Sequence, residues 1–441
     1  MNKTATTAVG RKEFSDLMAS LGFFETSPAI ALACSGGPDS MALAALLRDW
    51  VGDRNGTLTA LVVDHGIRSE SAQEAKTVAA WLAERNISSK VLRASAISAS
   101  SDLQAMARAA RYALMSAWCE KNACLHLAVA HHLDDQAETL LLRLGRGSGV
   151  DGLSAMAPVQ ESRLLRTIRP LLDIPRARLR ATLKQHEFPH VTDPSNDNSV
   201  FARVRMRGLA PVLAAEGMTP WRLAATASHL ARAREALEVE TAQLLADCFV
   251  LHAEGYGILK TGKFLAAPRE LGLRSLSNIL VCVGGNEYPP RFERLSRLYD
   301  GLDSIAKGRG RTLAGCRILG RRQGILVCRE PGTIAETVPA RGMVYWDNRF
   351  RMTFAARAKG TVRRLGSDGW AEVVALAPEF RNTKIPAAVR PSLPGIWCDG
   401  QLATVPHLGF MRELPGGETL MPRKTGFTPF KSLVSPRFTL H

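Results

Sequence analysis

IALACSGGPDSMALAALLRDW, residues Ile30 to Trp50, decides the fold. The apolar run Ile30 to Cys34 reads as a short buried strand, and Met41 to Trp50 carries apolar residues at helical spacing. Between them stand Ser35, Gly36, Gly37, Pro38, Asp39 and Ser40. A strand that turns through glycines into a helix aims backbone N–H groups and the positive helix end at one point, which suits an anion such as a nucleotide phosphate. Glycine tolerates turn geometries other residues resist and lets a phosphate approach the backbone. Ser35 and Ser40 add hydroxyls, and Asp39 adds a carboxylate able to hold a divalent cation. No lysine follows the glycines, so the GxxxxGK(S/T) loop of the kinase type is absent. An ordinary Gly-Pro turn uses the same residue types, so the hexapeptide needs support from the rest of the chain.

That support begins with alternation. Leu58 to Asp64 and Ser89 to Arg93 read as a second and third strand, Leu103 to Lys121 as a helix, Leu125 to Ala130 as a fourth strand, Asp134 to Leu144 as its helix, and Leu164 to Ile168 as a fifth strand. Strands separated by helices predict right-handed βαβ units and an α/β domain built on a parallel sheet. Ligands of such sheets bind at the carboxyl ends of the strands. That puts SGGPDS, the Asp64-His65 pair and the His131-His132 pair on one rim. A boundary near residue 215 closes this first domain, residues 1–215. A long amphipathic helix from Pro220 to Leu251, then helices over Arg269 to Val283 and Pro290 to Lys307, predict a helical domain over 216–335. From Pro339 onward short apolar stretches broken by Gly and Pro predict a small β-rich domain, 339–441.

Charge narrows the class of partner. The 441 residues hold 57 Lys and Arg against 41 Asp and Glu, a net +16, and segment 339–441 alone holds 15 against 7. A polyanion is the expected partner. Nucleic acid fits better than a membrane, because no long basic amphipathic helix or lipidation motif is visible. Trp346, Trp370 and Trp397 in the basic C-terminal segment suit either base stacking or a small β core. The eight cysteines form no C-x-x-C pair, so zinc ribbons and common iron–sulfur spacings are unsupported. The first residues carry no secretory apolar segment, and a reducing cytoplasm is the expected setting.

A second chemical cluster runs from His131 to Gly149, HHLDDQAETLLLRLGRGSG. With Asp134 as the helix N-cap, Asp135 and Glu138 lie one turn apart on one face beside the sheet rim. Such a carboxylate pair can hold Mg²⁺ against phosphates, recognise an ammonium group, or take a proton from an amine. Acidic residues there also complement the helix dipole, but two carboxylates, a third one turn on and two histidines exceed what capping needs.

At these residues the chain resembles the N-type ATP pyrophosphatase (PP-loop) superfamily, whose loop reads SGGxDS. Within it, VDHGIR at Val63 to Arg68, RAARY at Arg108 to Tyr112, HHLDDQAETLLLRLGRGSGVDGL at His131 to Leu153, RPLL at Arg169 to Leu172 and DPSN at Asp193 to Asn196 are similar, in that order, to the tRNA(Ile)-lysidine synthase family. A weaker similarity covers Lys384 to Gly409. The resemblance implies a ligase that uses ATP and Mg²⁺ to join free L-lysine to the wobble cytidine of the CAU-anticodon isoleucine tRNA. A tRNA thiolase sharing the adenylating loop is the alternative. Carried over by motif, Ser35, Gly36, Gly37, Pro38, Asp39, Ser40, His65 and His132 bind ATP, and Asp39 and Asp135 hold the metal. Asp39, Arg111, Asp135 and Glu138 carry the chemistry. Arg203, Arg205 and Arg207 contact tRNA, in a run where Val204 stands in place of the family's Asn and Gly208 in place of its histidine. A homodimer is compatible with this reading, and no membrane partner is expected.

Overall fold

The computed structural model describes residues 6–64, 71–93, 103–162, 165–191, 202–356, 358–413 and 420–434. They fall into two compact units that divide between Glu235 and Ala236.

The first unit opens with helix α1 (Arg11–Ser20), strand β1 (Ala29–Cys34) and helix α2 (Pro38–Gly52). It continues with β2 (Thr57–Asp64), α3 (Ser71–Ala83), β3 (Ser88–Arg93), α4 (Leu103–Lys121), β4 (His126–Ala128), α5 (Leu133–Leu144) and α6 (Val150–Leu153). It ends with β5 (Val159–Glu161), β6 (Arg166–Ile168), α7 (Arg176–Gln185), α8 (Ala202–Ala215) and the start of α9 (Pro220–Cys248). The sheet order is β3-β2-β1-β4-β6-β5, with every pairing parallel except the β5–β6 edge. The expected α/β domain on a parallel sheet is therefore present.

Alternation along β1 explains the layers. Ile30, Leu32 and Cys34 enter one core cluster with α2, while Ala31 enters a second with Met115 of α4, Leu61 and Leu127. Successive strand residues face opposite sides, so a strand apolar throughout needs helices on both faces. Helix α2 is buried over most of its length, with Met41, Leu43 and Leu47 fully enclosed. Pro38 stands in its first turn, where the missing N–H removes no helix bond. Ten-residue α7 and the α2 helix share this core through Leu179 and Leu183. The strand order reverses direction between β1 and β4, and at such a switch point the loops leaving the two strands part and open a crevice. Those loops are Ser35–Gly37 and the segment leading to His132.

The second unit carries the helices expected within 216–335 together with strands that the helical reading did not include. Helices α10 (Thr261–Ala266), α11 (Arg269–Gly284), α12 (Phe292–Asp300) and α13 (Leu302–Ala306) accompany an antiparallel sheet. Its strands are β7 (Phe249–His252), β8 (Tyr256–Leu259), β9 (Arg311–Leu313), β10 (Cys316–Arg321) and β11 (Gly324–Arg329), in the order β7-β8-β11-β10-β9. The predicted helix to Leu251 stops at Cys248 because Phe249–His252 folds back on Tyr256–Leu259 through a turn at Gly255, whose φ is 76°. The pairing of β8 with β11, more than sixty residues on, leaves no local periodic signal. Beyond Pro331 the segment is β-rich as expected, with a five-stranded and a three-stranded sheet. Trp346 is fully buried and Trp397 nearly so, which makes them core residues rather than stacking platforms.

Candidate active site

The loop after β1 has the geometry the glycines suggested. Gly36 has φ +78°, and its carbonyl accepts the Val191 N–H at 2.8 Å. A Cβ there would lie 2.3 Å from Cγ2 of buried Val78, so only glycine fits. The Ser40 hydroxyl donates to the Gly37 carbonyl at 2.9 Å and lies 3.4 Å from the Ser35 hydroxyl. Cys34, just before the loop, is buried, and that burial pushes its thiol pKa up and keeps it protonated.

Helix α5 begins at Leu133, with His132 rather than the expected Asp134 as its N-cap. Asp135, at the third helical position, accepts the His132 backbone N–H at 3.1 Å. Asp134 instead accepts the Arg176 N–H at 2.9 Å and so ties α5 to the start of α7. The physical reason lies in position: the carboxylate one residue further along, at the third helical position, can fold back on the entering chain. Asp135 and Glu138 are buried on one face of α5, as the spacing predicted.

His132 joins the two motifs. Its Nε2 lies 3.6 Å from Asp39 Oδ2 and 3.5 Å from Asp135 Oδ2, and its Nδ1 lies 3.6 Å from Asp134 Oδ2. Burial alone would strip the imidazole of its proton, but the surrounding carboxylates of Asp134, Asp39 and Asp135 prevail and push its pKa up to about 10. The reverse holds for neighbouring His131: burial first, then Arg169, Arg108 and Arg203, push it down to about 2, so it is neutral. Burial would raise the Asp39 carboxyl, yet His132, Arg176 and Arg180 hold it below the usual range. Arg176 Nε stands 3.8 Å from Asp39 Oδ1. Nothing local in the sequence marks Arg176 for this role, since its meeting with Asp39 is made by the packing of α7 on α2.

The arginines read as tRNA contacts lie on α8, where residues four apart share a face. Arg203 and Arg207 accordingly turn toward α5. Arg207 Nε donates to Glu138 Oε1 at 2.5 Å, its Nη2 lies 3.4 Å from Oε2, and Nη2 is 3.9 Å from Asp135 Oδ1. Arg203 Nη1 is 4.0 Å from the same Asp135 oxygen. Arg205 is exposed on another face of the helix. Burial raises the Glu138 pKa despite Arg207, and the Asp135 charge adds to the rise. A carboxyl raised in this way is a stronger proton acceptor, once ionised, than an ordinary one. Arg111 is half-buried on α4 beside Tyr112 and Arg108, and among the described residues no hydrogen bond or ion pair joins it to this cluster. His65 lies outside the described residues, as does the DPSN segment.

Fit to a divalent cation can be judged from the donors. Among the described residues no group of three or more His, Cys, Asp and Glu forms a metal cage. Asp39 Oδ1, however, is buried with no hydrogen-bond partner. One or two carboxylates with a free oxygen, completed by phosphates and water, is how Mg²⁺ is held at nucleotide sites, so the Asp39 oxygen fits it.

The PP-loop domain family matches residues 7–213. The chain is similar to the tRNA(Ile)-lysidine synthase of Ruegeria pomeroyi at 36% identity, over 88% of this chain and 92% of that one. It is 37% identical to that of Rhodopseudomonas palustris, over 78% of this chain and the whole of the relative. With that of Wolbachia pipientis it shares 32% identity, over 90% and 92%. Among solved structures it is similar to a U34-tRNA thiolase of Methanococcus maripaludis at 18% identity and TM-score 0.44, over 50% of this chain and 78% of that one. A glycine loop at the switch point of a parallel sheet, a buried Asp135 joined through His132 to Asp39 beside that loop, and relatives matched over nearly their whole length converge: the chain belongs to the tRNA(Ile)-lysidine synthase family.

Proposed function

We propose that this ATP-using ligase joins L-lysine to the 2-position of the wobble cytidine of CAU-anticodon tRNA(Ile), changing its codon from AUG to AUA. The observation that carries this reading is the buried Asp135–Glu138 pair linked through His132 to Asp39 beside the glycine loop. Such an arrangement brings an amine-recognising group within reach of an activated phosphate ester. The loop N–H groups and the N-terminus of α2 hold the ATP phosphates. The cytosine 2-carbonyl oxygen attacks the α-phosphorus and pyrophosphate leaves. The lysine side-chain amine then attacks C2, and the C2–O bond breaks with AMP departing on that oxygen. AMP is a far better leaving group than the original carbonyl oxygen. Lysine's ammonium, with a pKa of about 10.4, must lose a proton before attack, and Glu138 is the group assigned to accept it. Mg²⁺, when bound at Asp39 and Asp135, supplies charge neutralisation for the phosphates. His132 and Arg176 favour the ionised form of Asp39, while His132 and Arg203 flank Asp135.

Segment 1–215 is the catalytic part in this reading, while 216–335 and the basic segment 339–441 bind the tRNA body. Protein incubated with ATP, labelled lysine and CAU-anticodon tRNA(Ile) should transfer label into RNA with one AMP released per lysine. Absence of label alongside sulfur incorporation from a sulfur donor would support the thiolase alternative and end this reading. Against the thiolase stands the burial of Cys34 and the absence of an exposed cysteine pair in a chain whose eight thiols are all described.

A further inference from the structure

The carboxylate assigned to the incoming lysine is already engaged by a cation. Glu138 is 6% exposed, and Arg207 covers both of its oxygens, at 2.5 and 3.4 Å, while reaching toward Asp135. A guanidinium and a primary ammonium compete for the same oxygens, so a lysine that pairs with Glu138 through both of them takes the place of Arg207. The arginine itself is not sealed in: its side chain keeps 33% of its exposure, and that of Arg203, one turn earlier on the same face, keeps 39%. A phosphate arriving at this rim therefore offers Arg207 a second anionic partner.

We propose that Arg207 is an internal stand-in for the lysine ammonium, occupying Glu138 until a phosphate of bound tRNA draws the guanidinium away. This rests on the lysine assignment of Glu138 made above. Two consequences follow from the geometry. In the free protein, lysine binding is opposed by the cost of displacing Arg207. With tRNA bound, that cost is already met, so tRNA and lysine each tighten the binding of the other by the same factor, as linkage requires. The device restricts lysine capture to molecules that already hold RNA.

The test is equilibrium binding of L-lysine to the full chain without ATP, so that no chemistry intervenes. Isothermal titration calorimetry would compare the wild type, Arg207→Gln, Arg207→Lys and Glu138→Gln, each with and without CAU-anticodon tRNA(Ile). The expected result is a lysine dissociation constant about tenfold lower in Arg207→Gln than in the wild type without tRNA, within the usual range of coupling between sites. Transfer RNA should lower the wild-type value by a similar factor and leave that of Arg207→Gln nearly unchanged. Arg207→Lys keeps the charge and should behave as wild type. If Arg207→Gln binds lysine no more tightly than wild type while Glu138→Gln loses binding, Arg207 merely positions Glu138 and the stand-in role is overturned. If Glu138→Gln binds lysine as the wild type does, the lysine assignment itself fails.

Discussion

Replacing Gly36 by Ala isolates what the glycine loop contributes. The backbone there is left-handed, at φ +78°, which costs a residue with a Cβ roughly 1–2 kcal/mol. The added methyl would also sit 2.3 Å from Cγ2 of Val78, a side chain 1% exposed in the core of the first unit. Overpacking of that kind costs about 1–3 kcal/mol. The total, about 2–5 kcal/mol, corresponds to a fall in melting temperature on the order of 10 °C for a unit of this size. Relief of the clash by displacing the loop would misdirect its N–H groups, so ATP affinity should fall at least about tenfold, which is 1.4 kcal/mol. The assay is a double-mutant cycle with Val78→Ala, read by thermal unfolding and by ATP binding. Val78→Ala removes the obstacle but not the left-handed φ, so the double mutant should recover about 1–2 kcal/mol relative to the sum of the single changes. Strict additivity would show that Val78 is not the obstacle. A Gly36→Ala protein with wild-type ATP affinity would refute the assignment of this loop to phosphate.

Three further outcomes are expected. Asp39→Asn and Asp135→Asn should each abolish AMP formation with the fold intact by circular dichroism, whereas Glu138→Gln should impair lysine use more than ATP use in steady-state kinetics; full turnover by Asp39→Asn would remove it from the metal site. In the second unit, Asp347 accepts hydrogen bonds from Arg329 at 2.9 and 3.0 Å and from fully buried Arg349 at 2.7 Å, so Asp347→Asn, which leaves two cations without their counter-charge, should cost about 3–5 kcal/mol in urea unfolding. Burial first, then the Arg349 charge, push His407 down to about 4 from an ordinary 6.5, against a backbone hydrogen bond at Ala253. The unfolded chain therefore binds a proton that the folded one refuses between those values, and stability present above pH 6.5 should be lost progressively toward pH 4, by up to about 3 kcal/mol. His407→Gln should flatten that part of the urea-midpoint profile, and an unchanged slope would assign the pH dependence elsewhere.

How much of this was legible beforehand divides along range in the sequence. The apolar run, the Gly-Gly turn and the helical spacing after it are neighbours in the chain, so strand, loop and helix were readable, as was the parallel sheet from the alternation that follows. Asp135 and Glu138 share a face because helical geometry alone requires it. The tertiary structure decided what meets them. The order β3-β2-β1-β4-β6-β5, which opens the crevice between β1 and β4, depends on which helix faces cover which side of the sheet. Arg207 reaches Glu138 across 69 positions, and Arg176 reaches Asp39 through the packing of α7 on α2. An arginine on a solvated helix face and one folded against a buried carboxylate have the same local sequence, so the pairing of Arg203 and Arg207 with the α5 carboxylates was not readable from the run. The sheet hidden in 249–329 has the same cause: its strands are short, and their hydrogen bonds are satisfied only by partners brought from afar by packing. Periodicity encodes which face of an element is apolar, whereas the identity of the opposing surface is fixed only when distant faces compete to be buried together.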